Sequence, residues 1–173
     1  VEKSRIGGTC VNDGCIPFKS FLNITEKISE LRNGIPGFYP TPQDFDYTQI
    51  IDEVKRRTDD VRKALEFSLR NITILSGDVI IKDSHHAVVD NDEIEFEYLL
   101  IATGCTHIAP KSATAQLFDL KKLPAEITVV GSGFSGLEAA AILARLRVKV
   151  TLQEKQSVIC PGLPEILRKE LQI

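Results

Sequence analysis

Ile16, Phe18, Phe21, Leu22, Ile24, Ile28 and Leu31 recur at near-helical intervals with polar residues between them. This spacing gathers apolar side chains on one face of a helix. The helix is predicted to start at the second cysteine of the chain and run to about Arg32, where Asn33-Gly34 supplies the usual stop. Residues 35–42 hold three prolines and a glycine and read as loop. A second amphipathic helix follows. Ile50, Ile51, Val54, Val61, Leu65 and Leu69 form its apolar stripe, Lys55, Arg56, Arg57, Asp59 and Asp60 its wet face, and Asp46 or Thr48 its N-terminal cap.

The pattern then shortens to strand length. Ile72 to Leu75, Val79 to Ile81, Ala87 to Val89 and Ile94 to Phe96 are separated by Ser76-Gly77-Asp78, Lys82 to His86 and Asp90-Asn91-Asp92, which predicts an antiparallel meander. Tyr98 to Ala102 is a continuous apolar run, as expected of a strand buried on both faces. It ends in Thr103-Gly104, and residues 107–123 are expected to be a connector. Ile127 to Val130 and Val148 to Leu152 read as two further strands, with an alanine- and leucine-rich helix over Leu137 to Leu146 between them. The fold class is therefore α/β.

Composition narrows the partners. The 173 residues are 43% hydrophobic, enough for a core, and carry a net charge of -3 with the signs interspersed. No basic stripe favours nucleic acid, and no apolar run reaches membrane-spanning length or the form of a signal peptide. A cytoplasmic location is expected, since four cysteines not spaced as a disulfide scaffold suit a reducing compartment. Cys105 and Cys160 read as ordinary thiols, and His85 and His86 as exposed turn residues, so no metal site is expected. There is no methionine, and Val1-Glu2 reads like the end of a strand; both features suggest a piece of a longer protein.

Two stretches carry candidate chemistry. The first is Gly7-Gly8-Thr9-Cys10-Val11-Asn12-Asp13-Gly14-Cys15-Ile16-Pro17-Phe18-Lys19. Its two cysteines sit at the head of the first helix, where the positive end of the helix dipole lowers a thiol pKa. A bridge across so short a loop adds little stability, so a redox use explains the spacing better than a structural one. Two inert thiols, or half of a zinc site, are the alternatives. A snorkelling surface lysine is the plainer alternative for Lys19 on this helix.

The second stretch is Gly131-Ser132-Gly133-Phe134-Ser135-Gly136, placed between a strand and a helix, with Glu154 23 positions after Gly131. This is the context of a dinucleotide fingerprint. Gly131 permits the tight turn, Gly133 lets backbone approach a pyrophosphate, and Gly136 lets the helix pack on the strand. Glu154 can accept from both ribose hydroxyls and repels a 2′-phosphate, which favours NAD over NADP. A glycine-rich turn without ligand is the plainer alternative.

The cysteine stretch resembles the redox-disulfide signature of the class I pyridine nucleotide-disulfide oxidoreductases, flavoproteins that include dihydrolipoamide dehydrogenase, glutathione reductase and mercuric reductase. The resemblance implies a partial Rossmann-like FAD domain with the meander over 1–110, a connector over 111–124, and the first βαβ unit of an NAD domain over 125–173. It implies FAD and NAD as cofactors, a Cys10–Cys15 redox disulfide, and a small-molecule or lipoyl-type disulfide substrate. Cys10 would be the interchange thiol and Cys15 the charge-transfer thiolate beside the flavin. Lys19 would pair with Glu138, buried next to the flavin and nicotinamide.

Further FAD contacts are implied at Glu2 (adenosine ribose), Gly8, Thr9, Val79, Ala102, Thr103, Gly104 and Cys105. NAD contacts are implied at Gly131, Ser132, Gly133, Phe134, Ser135, Gly136, Glu138 and Glu154. Ile16-Pro17, then Lys19, and Glu154 lean toward dihydrolipoyl dehydrogenase. Phe18 departs from the small or polar residue more usual there, and the connector lacks an Ile-Pro-Gly type segment. Mercuric reductase, glutathione-type reductase and soluble transhydrogenase therefore remain alternatives, as do a non-catalytic nucleotide-binding fragment and a zinc module. Relatives are homodimers whose acid-base histidine lies in a later domain, so none of His85, His86 and His107 is assigned that role.

Overall fold

The structure is a computed structural model that describes residues 1–34, 36–37, 45–105 and 113–171, with backbone only over 113–115. The expected loop over 35–42 and His107 lie largely outside these residues. The first glycine stretch forms a short helix, α1 (Gly8–Asn12), and the predicted long helix follows as α2 (Cys15–Asn33). Phe18, Phe21 and Thr25 are buried on one face of α2, as the spacing requires. Gly34 ends the helix at φ 79°, a left-handed conformation open to glycine.

Helix α3 (Tyr47–Ser68) is capped by Asp46, whose carboxylate accepts from the Thr48 and Gln49 amides. Those bonds satisfy two of the donors a helix N-terminus leaves free. Tyr47, Ile50, Ile51 and Val54 are buried against α2, whereas Val61 and Phe67, further along, are exposed. The expected connector contains a helix of its own, α4 (Ala113–Asp119). The Tyr47 hydroxyl donates to the Leu117 carbonyl at 2.7 Å and ties α3 to α4.

Strands β1 (Val79–Ile81), β2 (His86–Val89) and β3 (Asp92–Glu95) form the predicted antiparallel meander, in the order β1-β2-β3. Val79 pairs with Val89 and Ala87 with Ile94, which turns Ala87 and Val89 inward. Strands β4 (Glu126–Val130) and β5 (Lys149–Gln153) pair in parallel around helix α5 (Phe134–Arg145), giving a βαβ unit. A last short helix, α6 (Glu165–Glu170), follows.

Two expected strands differ. Residues 72–75 form no strand: the Leu75 carbonyl accepts from the Glu2 amide at 2.9 Å, and Ser76 makes an isolated bridge, parallel to Glu2. Tyr98 to Ala102 is likewise no strand, and Tyr98, Leu100 and Ile101 are 86%, 89% and 66% exposed. A strand is completed by a ladder of hydrogen bonds to a neighbour; among the described residues, 72–76 have only Glu2 as such a neighbour, and Tyr98 to Ala102 have none.

One apolar cluster joins the helices to the βαβ unit. It includes Phe18, Phe21, Ile50, Val54, Leu117, Val129, Ile142 and Leu143. Phe21 lies at its centre, fully buried, with the Tyr47 and Phe118 rings 6.0 and 6.1 Å away. Helix α2 is thereby held between α3 and α5. This packing brings Lys19, at the end of the cysteine stretch, to Glu138 on α5. Among the described residues no helix is long and apolar enough to cross a membrane.

Candidate functional site

The cysteine loop is shaped by its small residues. Gly7 stands at φ 102°, and a Cβ there would lie 2.6 Å from the Val11 Cβ, so only glycine fits. A Cβ on Gly14 would come within 3.0 Å of the Thr9 carbonyl oxygen and 3.6 Å of the Cys10 Cα. The start of α2 is thus drawn against α1. Asn12 stitches the loop, its Nδ2 donating to the Gly8 and Ile6 carbonyls at 2.9 and 3.1 Å, and Arg5 pairs with Asp13 at 3.3 Å.

Cys10 is the third residue of α1 and Cys15 the first of α2. Both side chains are exposed and unbridged. The Cys10 thiol is pushed above its ordinary pKa, chiefly by its hydrogen bond to Cys15 and then by burial. For Cys10 this corrects the expectation that a helix terminus would lower its pKa. A thiol that donates to its neighbour holds its proton, and α1, only five residues long, exerts little dipole field in return.

Lys19 lies one turn beyond Cys15 on the same face of α2 and forms an ion pair with Glu138, in the first turns of α5. The pairing is as expected; the burial is not. The Lys19 side chain is 62% exposed and that of Glu138 27%. Lys19 lies outside the buried face of α2, which is formed by Phe18, Phe21 and Thr25.

The glycine loop follows the fingerprint geometry. Gly131 stands at φ 96°, its amide donating to the Gln153 carbonyl at 2.7 Å. Gly133 is the N-cap of α5, with no side-chain cap and open space where a Cβ would stand. A Cβ on Gly136 would fall 2.0 Å from the Gly131 carbonyl oxygen, so that glycine is what lets α5 meet β4. Phe134 and Ser135 are exposed at the first turn of the helix.

Glu154 does not stand free at the end of β5. Its Oε2 accepts from the Ser132 amide at 2.8 Å and the Ser132 hydroxyl at 2.5 Å, and its Oε1 from the Gln156 amide at 3.0 Å. These bonds, the Ser132 hydroxyl foremost, hold its carboxyl down at about 2.

The remaining expected contacts are more scattered. Glu2 is half-buried, and its carboxylate accepts from the Ser4 amide at 2.8 Å beside a cavity of about 210 Å³ lined also by Arg5, Arg62 and Ser76. Gly8, Thr9, Val79, and Ala102 to Cys105 are exposed, with Gly104 at φ 71°. Among the described residues no hydrogen bond joins Ala102–Cys105 to the cysteine loop. His86 is paired with Asp83 at 2.9 Å and His85 with the Phe96 carbonyl at 3.2 Å. No group of three or more His, Cys, Asp or Glu among the described residues is placed to hold a metal.

The roles of Asn12 and Gly14 were not foreseen from sequence. Gly14, directly before a cysteine that opens a helix, carried the readable signal; Asn12 carried none, because its partners are backbone carbonyls set by the fold.

A family model described as pyridine nucleotide-disulphide oxidoreductase matches residues 1–172. The chain belongs to this family. Curated relatives include a mercuric reductase of Lysinibacillus sphaericus, 26% identical over 188 residues, covering 99% of this chain and 34% of the relative. A dihydrolipoyl dehydrogenase of Acholeplasma laidlawii is 26% identical over 185 residues, covering 97% and 55%. Among solved structures, the HOCl-induced flavoprotein disulfide reductase RclA from Escherichia coli superposes with a TM-score of 0.77 over 99% of this chain and 39% of that one, at 24% identity. The chain thus spans about one third to one half of the length of these relatives.

Membership in a pyridine nucleotide-disulphide oxidoreductase family accounts for the α/β fold and implies a flavin. The residues present fit such nucleotides. The uncapped N-terminus of α5 and the open space at Gly133 suit a pyrophosphate. Gly8 and Gly104 likewise present bare backbone with nothing within 4 Å of a Cβ position. The exposed dithiol and the Lys19 cation stand together at the head of α2.

Proposed function

We propose that this chain is part of a flavin-dependent enzyme that passes electrons between NAD(H) and a disulfide or dithiol substrate, in the manner of a dihydrolipoyl dehydrogenase. The observation that carries this reading is the meeting of the Cys10/Cys15 dithiol, through Lys19, with Glu138 beside the glycine loop. It joins a sulfur redox pair to a dinucleotide site on adjoining helices. Residues 1–110 would serve the flavin, 125–173 the dinucleotide, and 111–124 would connect them, in a cytoplasmic homodimer.

The Cys10 thiolate attacks one sulfur of the substrate disulfide, forming a mixed disulfide and releasing the first substrate thiol once it takes up a proton. The Cys15 thiolate then attacks the Cys10 sulfur, releasing the second thiol and closing Cys10–Cys15. The protein pair has lost two electrons and the substrate has gained them. When bound, the flavin supplies the two-electron carrier that connects this pair to NAD(H). Lys19 contributes a fixed positive charge that favours anionic sulfur nearby. Because Cys10 holds its proton on Cys15, its attack needs a base, and among the described residues His85 and His86 are occupied within the meander.

The test is the visible spectrum of the full-length protein before and after anaerobic NADH, followed by assays with dihydrolipoamide, oxidised glutathione and Hg(II). A flavin spectrum that changes on reduction, loses its long-wavelength component in Cys15→Ser, and accompanies turnover of dihydrolipoamide supports the reading. Turnover of Hg(II) alone would replace it with a mercuric reductase. A colourless protein would refute the flavin.

A further inference from the structure

The end of β5 and the glycine loop are joined by the Gly131 amide on the Gln153 carbonyl and, at the Glu154 side chain, by the amide and buried hydroxyl of Ser132. Ser132 is fully buried. Its Oγ donates to Glu154 Oε2 at 2.5 Å and accepts from the Cys160 amide at 2.8 Å, while its own amide donates to the same carboxylate oxygen at 2.8 Å. One side chain thus ties three segments: the glycine loop, the end of β5, and the turn around Cys160. That turn is built tightly. Cys160 is 2% exposed and stands at φ 44°, a conformation that a non-glycine residue adopts only when its surroundings hold it there.

We propose that Ser132 is the positioning residue that sets dinucleotide selectivity, by holding the Glu154 carboxylate against the glycine loop as a fixed negative wall toward a ribose 2′-phosphate. The inference rests on the reading of this loop as a dinucleotide site. An exposed glutamate on a free rotamer could swing aside and let a phosphate in. Glu154 cannot do so here, because both its oxygens are committed to amides or hydroxyls of the loops on either side. Its lowered pKa keeps it ionised throughout the pH range of an assay.

The hydroxyl is well suited to this task. Alanine at 132 would keep the amide donor but remove the hydroxyl from Glu154, and would leave the Cys160 amide buried without an acceptor. Both losses loosen the same wall. Exposed Lys155, next in sequence, could then approach an added phosphate that Glu154 no longer repels.

The test is calorimetric binding of NAD+ and NADP+ to the full-length protein, in wild type, Ser132→Ala, Glu154→Gln and the double variant. The expected wild-type preference is for NAD+. Ser132→Ala should reduce the ratio of the two dissociation constants about tenfold, the scale of a hydrogen bond to a charged group. In the Glu154→Gln background the same serine substitution should change the ratio little, since it acts through the glutamate. A preference for NAD+ unchanged by Ser132→Ala, or an equal serine effect in both backgrounds, overturns the proposal but leaves the dinucleotide reading standing. Binding of neither nucleotide by wild type overturns that reading as well. Should Ser132→Ala fail to fold, NMR titration of the wild-type Glu154 carboxyl decides: a midpoint well below the ordinary carboxylate value is expected, and an ordinary midpoint would refute the clamp.

Discussion

Replacing Gly136 with alanine should destabilise the βαβ unit, whereas the same change at Gly133, three residues earlier, should not. A methyl group on Gly136 would lie 2.0 Å from the Gly131 carbonyl oxygen, 3.0 Å from its carbon and 3.7 Å from a Val129 methyl. To restore even a 3.0 Å contact, α5 and the end of β4 must separate by about 1 Å. The obstacle is backbone, so no side-chain rotation relieves it. Overpacking costs about 1–3 kcal/mol and more where backbone must move, so the upper end, about 3 kcal/mol, is expected here. Alanine returns about 1 kcal/mol through better helix propensity, which leaves a net loss of about 2 kcal/mol. For a cooperative unit of about 150–250 residues that is a fall of about 4–8 °C in melting temperature. At Gly133 a Cβ meets nothing and φ is -66°, so the melting temperature should hold while dinucleotide binding weakens. Thermal unfolding of both full-length variants, followed by circular dichroism, is the assay. Equal melting temperatures for Gly136→Ala and Gly133→Ala would refute the argument that the third glycine is required by backbone contact.

Cys15→Ala should bring the Cys10 thiol back down toward its ordinary pKa, because the bond to Cys15 is the main cause of its elevation; the pH profile of Cys10 alkylation, followed by mass spectrometry, should move to lower pH, and a profile that stays or rises would contradict the hydrogen bond. Phe21→Ala empties the centre of the cluster shared by α2, α3 and α4 and should lower stability by about 3–5 kcal/mol in urea unfolding. Asp46 is held below the ordinary carboxylate pKa by the Thr48 hydroxyl and the Gln49 and Thr48 amides. A group whose folded pKa is depressed contributes stability above its unfolded pKa and loses it as pH falls through the folded one. The gap between wild type and Asp46→Ala should therefore be full at neutral pH and close in acid; a gap independent of pH would remove Asp46 as the cap of α3.

Local chemistry determined much of this protein. Helix α2 stops at Asn33-Gly34, α3 starts at Asp46, and the meander turns where Asp90-Asn91 breaks the strand pattern, because caps and turns are interactions within a few residues. The βαβ unit was legible for the same reason: Gly131 is set by its positive φ and Gly136 by backbone contact with Gly131, both within a few residues. The cysteine spacing pointed to a candidate redox pair from the residue types alone, with inert thiols or half of a zinc site as alternatives.

Tertiary structure decided what depends on partners distant in the chain. Tyr98 to Ala102 has the composition of a buried strand, yet strand character belongs to a pair, and this run has no partner among the described residues. The elevated Cys10 thiol, the exposure of Lys19 and the hold of Ser132 on Glu154 likewise follow from how segments meet. Charge and burial at each of those sites are set by neighbours 5 to 119 positions away, and a pattern read along the chain carries no distance through space.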